Sequence, residues 1–320
     1  MTDRLKVSVV LPFRNAGTTV QRTLDSLLVQ RPRCDELIVV DDGSTDDSFE
    51  IVKTSLHDCA FPVKFVRNVK SMGLAQSYNA GITTCSGEIV VILHSDVSLI
   101  GTDALSKLVE PLLSDKSVVA SYHYVDHPYD LWKQYNFWQK CLFARIIGVR
   151  EYGLDGKFDA FRKTDLLAVG MFDGITFARA GEDGDIFRKL NSRGRLEKTE
   201  AGILHFHSMD VNFSPRAVIF KNAQYAEAQG AICRRYGILN LKEFLRAFFR
   251  ELMIIGLLFP YLRILSLLAI CMYVFLYTWR VYAEEWRNPR VILLPFLNAC
   301  TLIVSSVFTI RGFITGKQRL

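Results

Sequence analysis

The sequence predicts an α/β protein, in which a mainly parallel β-sheet covered by helices is followed by transmembrane helices near the carboxyl terminus. Short apolar runs alternate with amphipathic segments over the first two thirds of the chain, polar side chains follow several of these runs, and a long uncharged stretch comes late. With 320 residues, 50% of them hydrophobic, the chain is long enough for one domain of catalytic size and a further region.

Strands and helices are predicted to alternate in the amino-terminal part. The apolar runs predict strands over residues 6–11, 36–40, 63–67 and 89–93. The segments between them predict helices over residues 18–30, 47–56 and 73–84. Because no hairpin signal separates the strands, this alternation indicates parallel strands joined by right-handed helical crossovers.

The stretch from Glu88 to Asp96, EIVVILHSD, is predicted to form the central strand. Its five apolar residues, Ile89 to Leu93, have the composition of a strand buried on both faces. Ser95 and Asp96 then lie at the carboxyl edge of the sheet, which is where open α/β sheets bind their ligands.

The following part of the chain adds further elements to this pattern. A helix is predicted over residues 103–113, strands over 118–124 and 158–162, an acidic loop at 181–187 opening a helix that runs to about 193, and a strand over 196–207. His205 and His207 share one face of that last strand, because side chains alternate with a period of two. The aromatic-rich segment 122–153 fits either a packed core or an acceptor-facing surface.

Charge and cysteine usage restrict the classes of partner. Lys and Arg exceed Asp and Glu by 39 to 33, a net charge of +6, which suits nucleotide phosphates or a lipid surface and is too small to indicate nucleic acid. The seven cysteines show no Cys-x-x-Cys pair, so we expect reduced thiols in a cytosol-facing protein. The amino terminus, MTDRLKVSVV, resembles a strand and not a signal or transit peptide.

The carboxyl-terminal region predicts membrane insertion. Val291 to Ile310 contains no charged residue, and about 20 apolar residues suffice for a helix to cross a bilayer. A second span is expected over about 264–282. The predicted organisation is a catalytic domain over residues 1–235, interfacial helices over 236–262 and a transmembrane hairpin over 263–320, with the catalytic domain cytosolic. The alternative is a buried hydrophobic hairpin of a soluble protein.

Five motifs together resemble those of a known family. VSVVLPFRN, VVDDGSTDDS, LAQSYNAGI, GEIVVILHSD and GEDGDIFRKLNSRG occur in this order over about residues 5–210. They are similar to the ordered motifs of the family-2 inverting glycosyltransferases with the GT-A fold. The resemblance implies an enzyme with a GT-A nucleotide-diphospho-sugar transferase domain, which takes a hexose such as mannose from an NDP-sugar.

The resemblance also implies which residues bind the donor. Asp42 matches the aspartate that hydrogen-bonds the nucleobase, Asp96 matches the last carboxylate of the Asp-x-Asp motif, and the other residues implied in nucleotide-sugar binding are Pro12, Phe13, Arg14 and Ser95. A divalent ion, Mn²⁺ or Mg²⁺, would offset the charge of the leaving diphosphate.

The expected ligands of that ion are Asp96 and His207, or else His205. His94 stands where the first aspartate of the Asp-x-Asp motif usually stands, and imidazole suits Mg²⁺ poorly. The identity of the metal ion, and even the dependence on one, are therefore open at this point.

Asp183, preceded by Glu182, resembles the general base of the family, the group that takes the proton from the acceptor hydroxyl. Structural roles are open for these residue types too. Asp183 is a favoured type at a helix N-cap, Asp41 and Asp42 suit a solvated turn, and the two histidines can make ordinary hydrogen bonds.

The acceptor follows from two further features. The Gln-x-x-Arg-Trp motif of processive synthases is missing from the sequence between 208 and 240, so we expect transfer of one sugar. The membrane hairpin favours a lipid-linked acceptor of polyprenyl or dolichyl type at the membrane, and nucleic acid is not an expected partner.

Two alternatives are retained. A polyprenyl- or dolichyl-phosphate glycosyl synthase would need no base, so Glu182 and Asp183 favour a hydroxyl acceptor. A non-catalytic membrane subunit that binds nucleotide-sugar would be consistent with His94. A dinucleotide-dependent oxidoreductase is disfavoured because no Gly-x-Gly-x-x-Gly follows the first strand.

Overall fold

The computed structural model describes residues 5–206 and 213–320. The chain divides into two compact units. The sheet unit comprises the described residues of 5–127, 149–178 and 182–206, and the helical unit those of 128–148, 179–181 and 213–320. The boundaries at 235 and 262 that the sequence suggested remain predictions.

The sheet unit contains one nine-stranded sheet. Its strands are β1 Val7–Phe13, β2 Glu36–Asp41, β3 Val63–Arg67, β4 Ile89–Leu93, β5 Val97–Leu99, β6 Val118–Asp126, β7 Arg150–Tyr152, β8 Phe158–Arg162 and β9 Arg195–His205. The spatial order is β3-β2-β1-β4-β8-β6-β9-β5, with β7 paired to β6 outside this path.

The first four strands are parallel, as predicted. β1 pairs with both β2 and β4, and β2 pairs with β3, in parallel register. β8 runs antiparallel to both β4 and β6, while β6 and β9 are parallel. The sheet is therefore mixed, and the start of β8 lies beside the carboxyl end of β4.

Six helices belong to the sheet unit. They are α1 Val20–Leu28, α2 Ser48–Ser55, α3 Leu74–Thr84, α4 Ala104–Ser114, α7 Lys163–Ala168 and α8 Glu182–Asn191. The small-residue helix α3 packs closely on the sheet, because a Cβ atom at Gly81 would come within 2.2 Å of Val10 Cγ1. The residues of β1, β2 and β4 are buried on both faces, as their apolar runs predicted.

Some element boundaries differ from the sequence-based expectation. Pro12 and Phe13, which lie beyond the strand predicted over residues 6–11, end β1. β5 and β7, of three residues each, were not predicted. They are defined by pairing with strands far away in the sequence, as in Val97 with His205, and local periodicity cannot reveal such pairing.

The helical unit contains the remaining helices. They are α5 Tyr129–Lys133, α6 Phe137–Phe143, α9 Pro215–Tyr236, α10 Leu241–Gly256, α11 Arg263–Leu276, α12 Trp279–Glu284, a 3₁₀ helix at Pro289–Leu293 and α13 Leu294–Thr315. Part of the aromatic segment 122–153 forms core here, since Trp132, Tyr135 and Phe137 are buried with Val281.

Helices α9 and α13 pack with their backbones nearly in contact. A Cβ atom at Gly312 would lie 2.0 Å from the carbonyl oxygen of Glu227, and one at Gly230 would lie 2.1 Å from that of Thr309. Beside three leucines, the buried face of α13 carries small or polar side chains, among them Thr301, Ser305, Ser306 and Thr309. Small residues at a helix crossing allow this close approach.

The outer face of α13 is apolar. Large hydrophobic side chains are exposed there at Phe296, Ile303, Val307, Ile310 and Ile314. Among the described residues, one helical stretch, Pro289–Thr315, is long and apolar enough to cross a membrane by length and composition. It contains the span predicted at Val291 to Ile310.

The second predicted span, over about 264–282, is not a continuous helix. Helix α11 has 14 residues and ends at Leu276, and α12 begins only at Trp279. At 1.5 Å per residue α11 is about 21 Å long, which is shorter than the hydrocarbon core of roughly 30 Å.

The close approach of α9 and α13 predicts a large cost for added volume. We expect Gly312→Ala to destabilise the protein by about 2 kcal/mol or more, because the new methyl group meets backbone and not a movable side chain. Gly153→Ala is the control, since a Cβ atom at Gly153 would meet nothing within 4 Å. Equal thermal unfolding of the two variants in detergent would contradict the described packing.

Candidate active site

A pocket of about 270 Å³ opens at the carboxyl ends of β1, β2 and β4, within the sheet unit. The six residues that the sequence suggested for nucleotide-sugar binding all line it, together with neighbours from the α3 side. The lining residues are Pro12, Phe13, Arg14, Asp42, Ser71, Gly73, Leu74, Ser77, His94, Ser95 and Asp96. The structure thus brings these predicted residues together at one sheet edge.

The Asp96 carboxylate lies between two imidazole rings. Its Oδ2 is 3.2 Å from His205 Nε2, and its Oδ1 is 3.6 Å from His94 Nδ1. Burial alone would raise the pKa of Asp96, but the neighbouring His205 and His94 outweigh burial and hold the pKa well below its usual range. Asp96 therefore stays ionised at neutral pH.

Of the two histidines of the predicted last strand, the structure describes His205 only. His205 ends β9 and contacts Asp96, whereas His207 lies outside the described residues. Asp96 Oδ1 is buried and has no hydrogen-bond partner within residues 5–206 and 213–320. An orphaned carboxylate oxygen beside imidazole nitrogens fits a divalent ion.

Asp42 holds together the segment that forms one wall of the pocket. Its Oδ1 accepts hydrogen bonds from Asn68 Nδ2 and the Met72 backbone N–H, both at 2.8 Å. Its Oδ2 accepts from Ser71 Oγ at 2.7 Å and from the Gly73 backbone N–H at 3.0 Å. A nucleobase contact by Asp42 would have to share oxygens that already accept two hydrogen bonds each.

Glu182 and Asp183 occupy the first turn of α8, and the residues that line the pocket do not include them. Burial, then the charge of Glu182, raise the pKa of Asp183 to about 7, although the Gly184 N–H donates to its Oδ1 at 2.7 Å. Burial also raises the pKa of Glu182. A carboxylate with a pKa near 7 is well matched to general-base catalysis at neutral pH.

Lys157 is a charged residue of this region that the sequence interpretation missed. Its positive charge lowers the pKa of both Glu182 and Asp183, while Asp155 raises that of Asp183. The turn is fixed because the His94 N–H donates to the Lys157 carbonyl oxygen at 2.9 Å. Lys157 lies here because β8 begins at this edge and runs antiparallel to β4. An expectation of parallel strands could not place the start of β8 beside the end of β4.

A cluster of one histidine and two aspartates lies at the same turn. His123, Asp155 and Asp159 have potential ligand atoms within 4.8 Å of one another. His123 Nδ1 is 3.0 Å from Asp159 Oδ1, and Asp159 Oδ2 accepts from the backbone N–H groups of Asp155 and Gly156. None of these three residues lines the pocket, so the cluster holds the turn in place beside it.

The sheet unit is an α/β domain with a polar pocket at the carboxyl edge of its mixed sheet, and the comparison with known proteins specifies the family. The profile described as Glycosyl transferase family 2 matches residues 8–170, which is 163 of the 320 residues. The chain belongs to this family, and its sheet unit has the GT-A fold.

Two relatives are similar over part of the chain. The cholesterol galactosyltransferase of Borreliella burgdorferi is 32% identical over 126 residues, 39% of this chain and 34% of that protein. The uncharacterised glycosyltransferase YibD of Escherichia coli is 31% identical over 96 residues, 30% of this chain and 27% of that protein. The matches thus span about a third or less of these relatives.

A solved structure extends the likeness of fold to nearly the whole chain. The mannosyltransferase PcManGT of Pyrobaculum calidifontis, solved with GDP-Man and Mn²⁺, superposes with a TM-score of 0.63 at 20% identity. The match covers 97% of this chain and 88% of that one.

Removing the charge of Lys157 should move the pH dependence of catalysis. In Lys157→Gln the pKa of Asp183 should rise by up to about one unit, because a nearby cation that favours its ionised form is gone. The rising acid limb of the pH–rate profile for sugar transfer should move to higher pH. The control is Lys107→Gln on the exposed face of α4; an unmoved limb in Lys157→Gln would show that Asp183 does not set it.

Proposed function

We propose that the protein is an inverting glycosyltransferase that moves one hexose from an NDP-sugar to a hydroxyl group of a lipid-linked acceptor. The observation that carries the proposal is that the sheet unit contains two carboxylates whose pKa values are shifted in opposite directions. Asp96 is ionised at the pocket, whereas the pKa of Asp183 is raised to about 7. Such a separation of pKa values assigns charge binding to the first and proton transfer to the second.

The pocket supports the binding of the donor. Arg14 is exposed at its rim and supplies positive charge, and the Asp42-bound segment contributes Ser71 and Gly73 to the wall. Asp96, with His205 or His207, would hold a divalent ion. When bound, the ion would offset the negative charge that builds up on the leaving diphosphate.

Asp183 acts as the general base in the proposed reaction. The acceptor hydroxyl gives its proton to an Asp183 carboxylate oxygen while its own oxygen forms a bond to the anomeric carbon. The bond between that carbon and the diphosphate oxygen breaks, and the diphosphate leaves with the electron pair. One displacement of this kind inverts the anomeric configuration. Glu182 and Asp155 favour the proton-accepting task by raising the pKa of Asp183.

The helical unit supports an acceptor at a membrane. Its exposed large hydrophobic side chains include those on the outer face of α13 and, on α11, Leu267, Leu268, Met272 and Phe275. An apolar exterior over a small or polar interior is the arrangement of helices in lipid. The name of the Borreliella relative specifies a sterol acceptor for that protein. We infer an integral membrane protein with a cytosolic catalytic domain and a polyprenyl- or dolichyl-linked acceptor.

The test is mass spectrometry of membrane lipids after incubation with the detergent-purified protein, Mn²⁺ and a panel of NDP-sugars. We expect one hexose added to a lipid-linked saccharide and a loss of at least about 100-fold in Asp183→Asn. Asp25→Asn, on the exposed face of α1, is the control. A product ladder would contradict single transfer.

The same experiment distinguishes the alternatives. A product on bare polyprenyl phosphate that survives in Asp183→Asn would indicate a phosphate acceptor, which needs no base. Donor binding without transfer or hydrolysis in the wild type would indicate a non-catalytic subunit.

A further inference from the structure

The polar residues that follow β4 differ from the expected pair of aspartates, since His94 precedes Asp96 by two positions. We propose that His94 Nδ1 and Asp96 Oδ1 jointly bind the divalent ion, and that Tyr78 holds His94 in the tautomer that makes this possible. The inference rests on the proposed function, because the ion serves the NDP-sugar. It assigns a nitrogen ligand and a positioning residue, and it predicts preference for Mn²⁺ over Mg²⁺.

The hydroxyl group of Tyr78 determines which nitrogen of His94 carries a proton. Tyr78 is fully buried on α3, and its hydroxyl group donates to the Gly156 carbonyl oxygen at 3.0 Å. That oxygen can only accept, so the one hydroxyl hydrogen is used there. The same hydroxyl oxygen contacts His94 Nε2. Nε2 must therefore donate its hydrogen to Tyr78, which leaves the lone pair of the neutral ring on Nδ1.

The lone pair on Nδ1 of His94 faces Oδ1 of Asp96. Asp96 Oδ1 is 3.6 Å from His94 Nδ1, which is too long for a hydrogen bond. It is buried without a hydrogen-bond partner in the described part of the chain. Two acceptors aimed at one space repel each other unless a cation or a proton lies between them.

The separation of these atoms suits a shared ion. Two donor atoms about 2.1 Å from one ion lie about 3.0 Å apart at a right angle and about 3.4 Å apart at a tetrahedral angle. The observed 3.6 Å needs to close by only a few tenths of an ångström. His205 contacts the other carboxylate oxygen, Oδ2, at 3.2 Å, and so orients Asp96 with Oδ1 towards His94.

The types of ligand atom, one nitrogen and one oxygen, determine that Mn²⁺ is preferred over Mg²⁺. Mg²⁺ is bound almost entirely by oxygen, while imidazole nitrogen is a good ligand for first-row transition ions. The outer hydrogen bond of a ligating histidine fixes the ring and its tautomer, and loss of such a partner typically weakens metal binding about 10–100-fold. Tyr78 provides this outer partner, with its position set by Gly156.

The first test detects the nitrogen ligand directly, with Mn²⁺ alone and no sugar donor. Pulsed EPR of Mn²⁺ bound to the full-length protein in detergent should show coupling to ¹⁴N, and this coupling should fall in His94→Asp while Mn²⁺ still binds. The same variant should give up Mn²⁺ to Mg²⁺ at a concentration of Mg²⁺ at least about tenfold lower. Unchanged ¹⁴N coupling in His94→Asp would overturn the proposal, as would failure of the wild type to bind Mn²⁺.

The second test concerns Tyr78. Tyr78→Phe should weaken Mn²⁺ binding about tenfold or more, with ¹⁴N coupling retained in the fraction that binds. The matched control is Tyr152→Phe, which removes a hydroxyl group that donates to Glu200 and belongs to a residue that does not line the pocket. Equal Mn²⁺ affinity in the two variants would refute the positioning role.

Both tests are independent of the acceptor and of Asp183. A chain that binds Mn²⁺ through His94 but transfers no sugar would refute the proposed function and leave the assignment of the ligand intact. A chain that transfers sugar at full rate after chelation of metal would refute the assigned role of the ion and leave the proposed transfer intact.

Discussion

The site depends on the antiparallel pairing of β8 with β4. In this register Leu93 lies opposite Phe158, and the His94 N–H donates to the carbonyl oxygen of Lys157. The pairing places the Asp155–Lys157 turn beside the last residues of β4. Without it, neither Lys157 nor the Gly156 carbonyl oxygen that engages Tyr78 would be near the carboxylates.

Charge balance in this region follows from that placement. Burial penalises every carboxylate here, and each is compensated differently. Asp96 has two histidines, Asp42 has four hydrogen bonds, and Asp183 has Lys157 opposed by Glu182 and Asp155. The result is two ionised carboxylates at the pocket and one with a pKa near neutrality, a division that metal-assisted transfer with a general base requires.

The strand that precedes Asp96, β4, could be predicted because its apolar run ends abruptly in polar residues, and the same holds for β2, which precedes Asp42. The roles of Lys157 and Tyr78 could not, since both depend on contacts between segments 60 or more residues apart in sequence, such as His94 with Lys157 and Tyr78 with Gly156. Hydropathy located the apolar stretch that the 3₁₀ helix and α13 form, but it could not show that the helix breaks after Leu276, because no glycine or proline marks the break.

The central claim is that the carboxyl edge of β4 binds the donor while Asp183 acts only on the acceptor. Calorimetric titration of UDP and of GDP, each with Mn²⁺, into wild type, Asp96→Asn and Asp183→Asn measures this directly. The account predicts that Asp96→Asn raises the dissociation constant of the preferred nucleotide about tenfold or more, and that Asp183→Asn leaves it unchanged. Equal losses in both variants, or a loss in Asp183→Asn alone, would contradict the account.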